Sequence, residues 1–135
     1  MSQSPDAARK ANADYLHQNM LNDDVEATAS GLQYKVIEAG AGVRPDANST
    51  VTVHYRGTLI DGSEFDSSYK RGEPITFPLS RVIQGWQEGL QMMQVGAKYE
   101  LYIPYNLGYG ERGTPGGPIP PYATLIFEVE LLDVK

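Results

Sequence analysis

The sequence predicts an α+β domain: a curled antiparallel β-sheet wrapped around one short central helix, with a helical arm ahead of it. Three observations point there. The stretches TVTVHYRG (50–57), KYELYIP (98–104) and ATLIFEVELLDVK (123–135) alternate apolar and polar residues, the period of strands with one buried face. Between them only VIQGWQEGLQMM (82–93) has helical spacing, with Val82, Trp86, Leu90 and Met93 on one face. The first twenty or so residues are alanine-rich and show no strand alternation. One short helix covers only part of a flat sheet, so the sheet is expected to curl around it.

In order along the chain, Ser4-Pro5-Asp6 provides a helix start: an N-cap serine, a proline in the first turn and an acid facing the helix dipole. The helix is expected to run to about Leu21, because Asn22, Asp23 and Asp24 bring acids to the unfavourable end of the dipole. Its apolar stripes, Ala8-Ala11-Tyr15 and Ala13-Leu16-Met20, are thin. The arm therefore either packs lightly on the domain or a partner, or stands solvated and partly frayed. Residues 22–31 read as a linker, which divides the chain into an arm over 1–30 and a domain over 31–135.

In LQYKVIE, Leu32, Tyr34 and Val36 share a side. In the next strand Val51, Val53 and Tyr55 face one way and Thr52, His54 and Arg56 the other. Asp61-Gly62 signals a tight turn. Residues 66–73 are polar and read as irregular. Ile75, Phe77 and Leu79 alternate but are interrupted by Pro74 and Pro78, which suits an edge strand. In the helix, Gly85 and Gly89 lie one turn apart; each costs about 1 kcal/mol against alanine, and what they offer is close approach of a sheet to the backbone. Trp86 either faces a cavity or is a core residue. Residues 104–122 form a long loop with five prolines and five glycines, whose Tyr105, Leu107, Tyr109, Ile119 and Tyr122 predict order. The last strand puts Ala123, Leu125, Phe127, Val129 and Leu131 on one face and is expected to be central.

At 135 residues the chain suits one domain with a short appendage. No apolar run is long enough to cross a membrane, and the N-terminal residues lack the order of a signal peptide. A cytoplasmic location is the default expectation, with a periplasmic one open if a leader precedes this numbering. A formal net charge of -6 argues against nucleic acid or an anionic membrane as the main partner. With no cysteine and only His17 and His54, thiolate chemistry, a shared metal site and a Ser/His/Asp triad are not expected. No cofactor is implied.

The richer set is aromatic and aliphatic. Tyr55, Phe65, Phe77 and Phe127 come from strand segments, Val82, Ile83 and Trp86 from the helix, and Tyr109 and Ile119 from the long loop. Such a set is either the core or an apolar pocket; the tyrosine hydroxyls and nearby Asp66 are the convergent polar groups a pocket needs.

VTVHYRGTLIDGSEFDSS, FPLSRVIQGWQEGLQMMQVGAKYELYIP and YGERG…PIPPYATLIFEVELL together resemble the FKBP-type peptidyl-prolyl cis-trans isomerases, the macrolide-binding immunophilins. The likeness covers about residues 31–135. SGLQYKV and the GERG loop are most similar to the bacterial macrophage-infectivity-potentiator branch, members of which carry dimerising N-terminal helices. The resemblance implies a curled sheet around a short helix and isomerisation of X-Pro bonds in proline-containing polypeptides. It implies a catalytic pocket made by Tyr55, Phe65, Asp66, Trp86, Tyr109 and Phe127. Substrate would also meet Val82, Ile83 and Ile119, with Phe77 and Arg71 flanking. Ile75 falls where many relatives have phenylalanine, so that wall is expected to be more open. The Ile83 N–H and the Tyr109 hydroxyl would hold peptide carbonyls. The implied partners are proline-containing chains and the family's macrolide inhibitors, and the implied oligomeric state is a monomer or a weak homodimer through the arm. A non-catalytic peptide-binding or chaperone module with the same pocket is the alternative.

Overall fold

The computed structural model describes residues 5–114 and 116–135. Its helices are α1 (Pro5–Asn19), α2 (Ser68–Arg71) and α3 (Gln84–Met92). Its strands are β1 (Glu26–Ala27), β2 (Gln33–Glu38), β3 (Thr50–Thr58), β4 (Glu64–Ser67), β5 (Ile75–Pro78), β6 (Lys98–Ile103) and β7 (Leu125–Val134). All pairings are antiparallel, in the order β1-β2-β6-β7-β3-β4, and β5 shares the outer edge of β3 with β4. The expected architecture and the central place of the last strand are both present.

The sheet curls because four of its strands reach the same helix. Trp86 of α3 touches Tyr55 of β3, Phe77 of β5 and Phe127 of β7 edge-on or tilted. On its other flank α3 rests on β6. A Cβ on Gly85 would lie 2.6 Å from the Ile103 side chain, and one on Gly89 would lie 2.7 Å from Leu101. Both partners are fully buried, so the two glycines set the helix-to-sheet distance.

On β7 the predicted face, Ala123 through Leu131 in steps of two, is buried throughout. It stops there because the pairing with β3 shifts register between Thr52 and Val53, and the residue this adds, Leu132, turns outward. On β2 the predicted face fades from fully buried Leu32 to exposed Val36, since a register shift between Val36 and Glu38 bends the strand away.

Other expectations are corrected. The linker 22–31 is a small hairpin: β1 pairs with Tyr34 and Gln33, Val25 is buried, and Thr28 N–H donates to the Leu32 carbonyl at 2.8 Å. Two residues are too few to show alternation. The irregular segment 66–73 contains the end of β4 and the single turn α2, capped by the Ser67 hydroxyl and ended by Gly72 at φ +76°. The Asp61-Gly62 turn is present, closed by Ser63 N–H on the Asp61 carboxylate at 2.9 Å, but the loop spans the whole of 59–63.

Helix α1 ends at Asn19 instead of Leu21, and the proposed Ser4 cap lies outside the described residues. The helix is docked on its own domain, and the docking is polar. Asn12 Oδ1 accepts the Thr124 N–H at 2.7 Å, and Asn19 Nδ2 donates to Gln33 Oε1 at 2.8 Å. Gln33 Nε2 reaches back to the Leu16 carbonyl at 3.0 Å. Ala8, Asn12 and Asn19, spaced four and seven apart, form this buried face. Two of the three are amides, so an apolar stripe does not disclose it.

Candidate functional site

The site begins at the outer edge of β3. Residues 50–53 pair with β5 and residues 56–58 with β4, which leaves the backbone of Tyr55 without a strand partner on that side. Ser68, fully buried at the start of α2, fills the gap. Its hydroxyl accepts the Tyr55 N–H at 2.7 Å, lies 3.3 Å from the Tyr55 carbonyl and meets His54 Nδ1 at 2.8 Å. This clamp brings Asp66 at the end of β4 and Arg71 at the end of α2 up to the Tyr55 side chain.

Above them is a hollow of about 350 Å3. Trp86 is its floor, 6% exposed, with the rings of Tyr55 and Phe127 edge-on at 5.2 and 5.0 Å between centroids. Phe65 meets Phe127 edge-on at 5.4 Å, an approach that requires Gly57 on β3, where a Cβ would lie 2.6 Å from Phe65. Phe77, Val82 and Ile83 complete the apolar wall, and Ile75, Tyr109 and Arg81 stand at the rim. The Trp86 Nε1 donor is buried with no hydrogen-bond partner among the described residues. Unpaired buried donors are rare. A larger groove of about 700 Å3 runs between α1 and Pro104-Tyr105, but no convergent aromatic set lines it.

The polar groups form one closed unit. The Tyr55 hydroxyl donates to Asp66 Oδ2 and accepts from Arg71 Nη2 at 2.9 Å; Arg71 Nη1 donates to Asp66 Oδ1 at 2.6 Å, and the Ser67 N–H reaches the same oxygen at 2.9 Å. Burial pushes the Asp66 carboxyl up, but the Tyr55 hydroxyl, Arg71 and the Ser67 N–H outweigh it and hold the carboxyl below the ordinary carboxylate range. Burial, then the bond to Asp66, pushes the Tyr55 phenol above its ordinary value. The unit is one anion matched by one cation, with a neutral phenol between them.

A second device lies at the start of α3. Gln87 Nε2 donates to the Val82 carbonyl at 2.7 Å. The C=O of Val82 and the N–H of Ile83 belong to one trans peptide and point in opposite directions. Tying the carbonyl to the helix therefore aims the Ile83 N–H away from it. Among the described residues that N–H has no hydrogen-bond partner. Tyr109, also named from sequence, is held by its loop: Gly110 N–H donates to the Tyr105 carbonyl at 2.9 Å, and the Gly110 carbonyl accepts from Tyr122 N–H at 3.2 Å. Its hydroxyl makes no hydrogen bond among the described residues.

Ten of the twelve residues expected from the sequence thus meet at one hollow. Two stand elsewhere. Ile119 is buried beneath the loop, where its backbone exchanges bonds with Thr114, and does not line the hollow. Arg71 lies behind Asp66 and reaches the site only through Asp66 and Tyr55. Three residues of the site were not named from sequence: Ser68, Gln87 and Arg81. Arg81 could have been found as the lone cation in PLSRVIQGW; the other two act through the backbone, which carries no residue-type signal.

The family sequence model for FKBP-type peptidyl-prolyl cis-trans isomerases matches residues 42–132. The chain belongs to this family. A model for the domain amino-terminal to such isomerases matches residues 1–36. The FKBP-type 22 kDa peptidyl-prolyl cis-trans isomerase of Escherichia coli K12 is 54% identical over 120 residues, covering 89% of this chain and 58% of the relative. Outer membrane protein MIP of Legionella longbeachae is 50% identical over 127 residues, covering 93% and 54%. The chain spans about half the length of the curated relatives it matches. A crystal structure of a peptidyl-prolyl cis-trans isomerase from Pseudomonas syringae superposes with a TM-score of 0.92 at 38% identity, covering 100% of this chain and 98% of that one. The expected cytoplasmic location finds no support among these FKBP-type relatives, one of which is named an outer membrane protein. No helix of the described residues is long and apolar enough to cross a membrane.

Proposed function

We propose that this chain accelerates rotation about X-Pro peptide bonds in flexible or folding polypeptides. The observation that carries the reading is the apolar hollow floored by Trp86, whose only anion among the described residues is already matched by Arg71. Amide resonance sets a barrier of about 18–20 kcal/mol. The planar amide is more charge-separated than the twisted one, so transfer from water to an apolar wall penalises the ground state more than the transition state. A barrier lowered by about 8 kcal/mol corresponds to roughly a millionfold acceleration. The chemistry asks for no nucleophile, and among the described residues no serine, cysteine or histidine lines the hollow.

In this reading the proline ring rests on Trp86 between Tyr55, Phe65 and Phe127. The Ile83 N–H and the exposed Tyr109 hydroxyl, both without partners among the described residues, take carbonyls of the bound peptide. The family's macrolides would occupy the same hollow. The chain divides into an arm (1–30) and an isomerase domain (31–135), and acts as a monomer or a weak homodimer through the arm. Because one face of α1 is already used against its own domain, a dimer would have to use the other. A location outside the cytoplasm, the periplasm first, agrees best with the relatives.

The test is relaxation of a cis-enriched X-Pro peptide with and without the protein. Accelerated relaxation, lost with a macrolide and reduced about tenfold or more in Tyr109→Phe, supports the reading. Peptide binding without acceleration would leave the non-catalytic peptide-binding module in its place.

A further inference from the structure

We propose that Arg81 makes this site prefer proline-containing chains with an acidic side chain next to the proline. The proposal rests on the isomerase reading above and adds a substrate class to it.

Arg81 ends the three-residue turn Leu79–Arg81, directly before Val82 and Ile83, and lines the hollow. It is exposed, and among the described residues it forms neither an ion pair nor a hydrogen bond. The other charges at the hollow cancel, since Asp66 is bonded to Arg71. The rim therefore carries one uncompensated positive charge on a chain whose formal net charge is -6.

That placement matters for two reasons. The wall beneath Arg81 is apolar, so its field over the hollow is screened less than in open water. A peptide whose proline sits on Trp86 must also lay its neighbouring residues across the rim, within reach of a long guanidinium side chain. Guanidinium and carboxylate pair through two parallel bonds, a match that amide or ammonium groups on the substrate do not offer. Without Arg81 the net negative chain would repel an acidic peptide, so the preference should disappear or invert.

Two peptide sets test this, one varying the residue before proline and one the residue after it, each with glutamate, glutamine or lysine. Isomerisation rates are measured together with binding, read from the fluorescence of Trp86, the only tryptophan. In at least one set the glutamate peptide should exceed the glutamine peptide by about threefold or more at low salt, with the lysine peptide below both. The ratio should fall to about one or below in Arg81→Gln, fall only part of the way in Arg81→Lys, which keeps the charge but not the paired bonds, and shrink as salt shortens the Debye length. Equal ratios in the unaltered protein and Arg81→Gln, or no glutamate preference in either set, would overturn it. If the glutamine peptides bind without acceleration, the isomerase reading fails while the binding ratios still decide the role of Arg81; if no peptide binds, both fail.

Discussion

The Tyr55 hydroxyl donates to the Asp66 carboxylate, and this bond faces the hollow from one side and Arg71 from the other. A carboxylate beside an apolar pocket would ordinarily either protonate or hold water. Here three protein donors, the Tyr55 hydroxyl, Arg71 and the Ser67 N–H, satisfy it, so the wall stays charged yet internally matched. Asp66→Ala should leave the phenol and the guanidinium unmatched and lower kcat/KM by about tenfold or more with the fold retained by circular dichroism. An unchanged kcat/KM would show that the pair only braces α2.

The same bond predicts the response to pH. The folded protein holds the Asp66 proton less tightly than the unfolded chain does, so stability rises with pH across the titration. The contribution is complete above the unfolded value of 3.8 and is lost as pH falls through the lower folded value. Tyr55 titrates in the opposite sense: its folded value is above 10.0, so its contribution is present below that pH and lost as alkali ionises the unfolded phenol first. Acid unfolding followed by Trp86 fluorescence should move downward in pH in Asp66→Asn at neutral-pH stabilities matched with urea, because the variant has no Asp66 contribution to lose. A coincident acid limb would remove Asp66 from the account.

Gln87 is predicted to act through the Val82–Ile83 peptide. Gln87→Leu frees the Val82 carbonyl to rotate and should lower kcat/KM by roughly three- to tenfold, the worth of about one hydrogen bond. Macrolide affinity, read by Trp86 quenching, should fall in parallel. If both parameters hold while thermal stability drops, Gln87 is only a helix brace.

Gly85→Ala tests what sets the helix-to-sheet distance. Helix propensity alone would gain about 1 kcal/mol. The added Cβ would meet fully buried Ile103 at 2.6 Å, and overpacking of this kind costs about 1–3 kcal/mol. Urea unfolding should show a net loss, partly recovered by Ile103→Val. A gain in stability would mean the helix can lift from β6 freely.

Asn12→Ala addresses the arm. If α1 merely lay against the domain, alanine would improve the helix at no cost. Because Asn12 is the acceptor for the buried Thr124 N–H, the substitution should instead lower stability by about 1–3 kcal/mol. Thermal melts of the two proteins decide between these outcomes.

The residue pattern by itself determined the alternating faces of β3, β6 and β7, the helix carrying Trp86, the edge character of β5 and the aromatic identity of the pocket. Each depends on a period or a side-chain type that is local to a few residues, and the family motifs are contiguous in the chain. Only the tertiary structure decided that Ser68 repairs the gap in the edge of β3, that Gln87 aims a backbone N–H, that Arg71 stands behind Asp66 and that Ile119 is buried away from the hollow. It likewise decided that α1 is seated by Asn12 and Asn19, which bond to Thr124 and Gln33. These are pairings between a side chain and a backbone group or a distant amide. Any residue supplies a backbone group and several supply an amide, so their partners are chosen by where the folded chain brings them, and no spacing along the sequence encodes that distance.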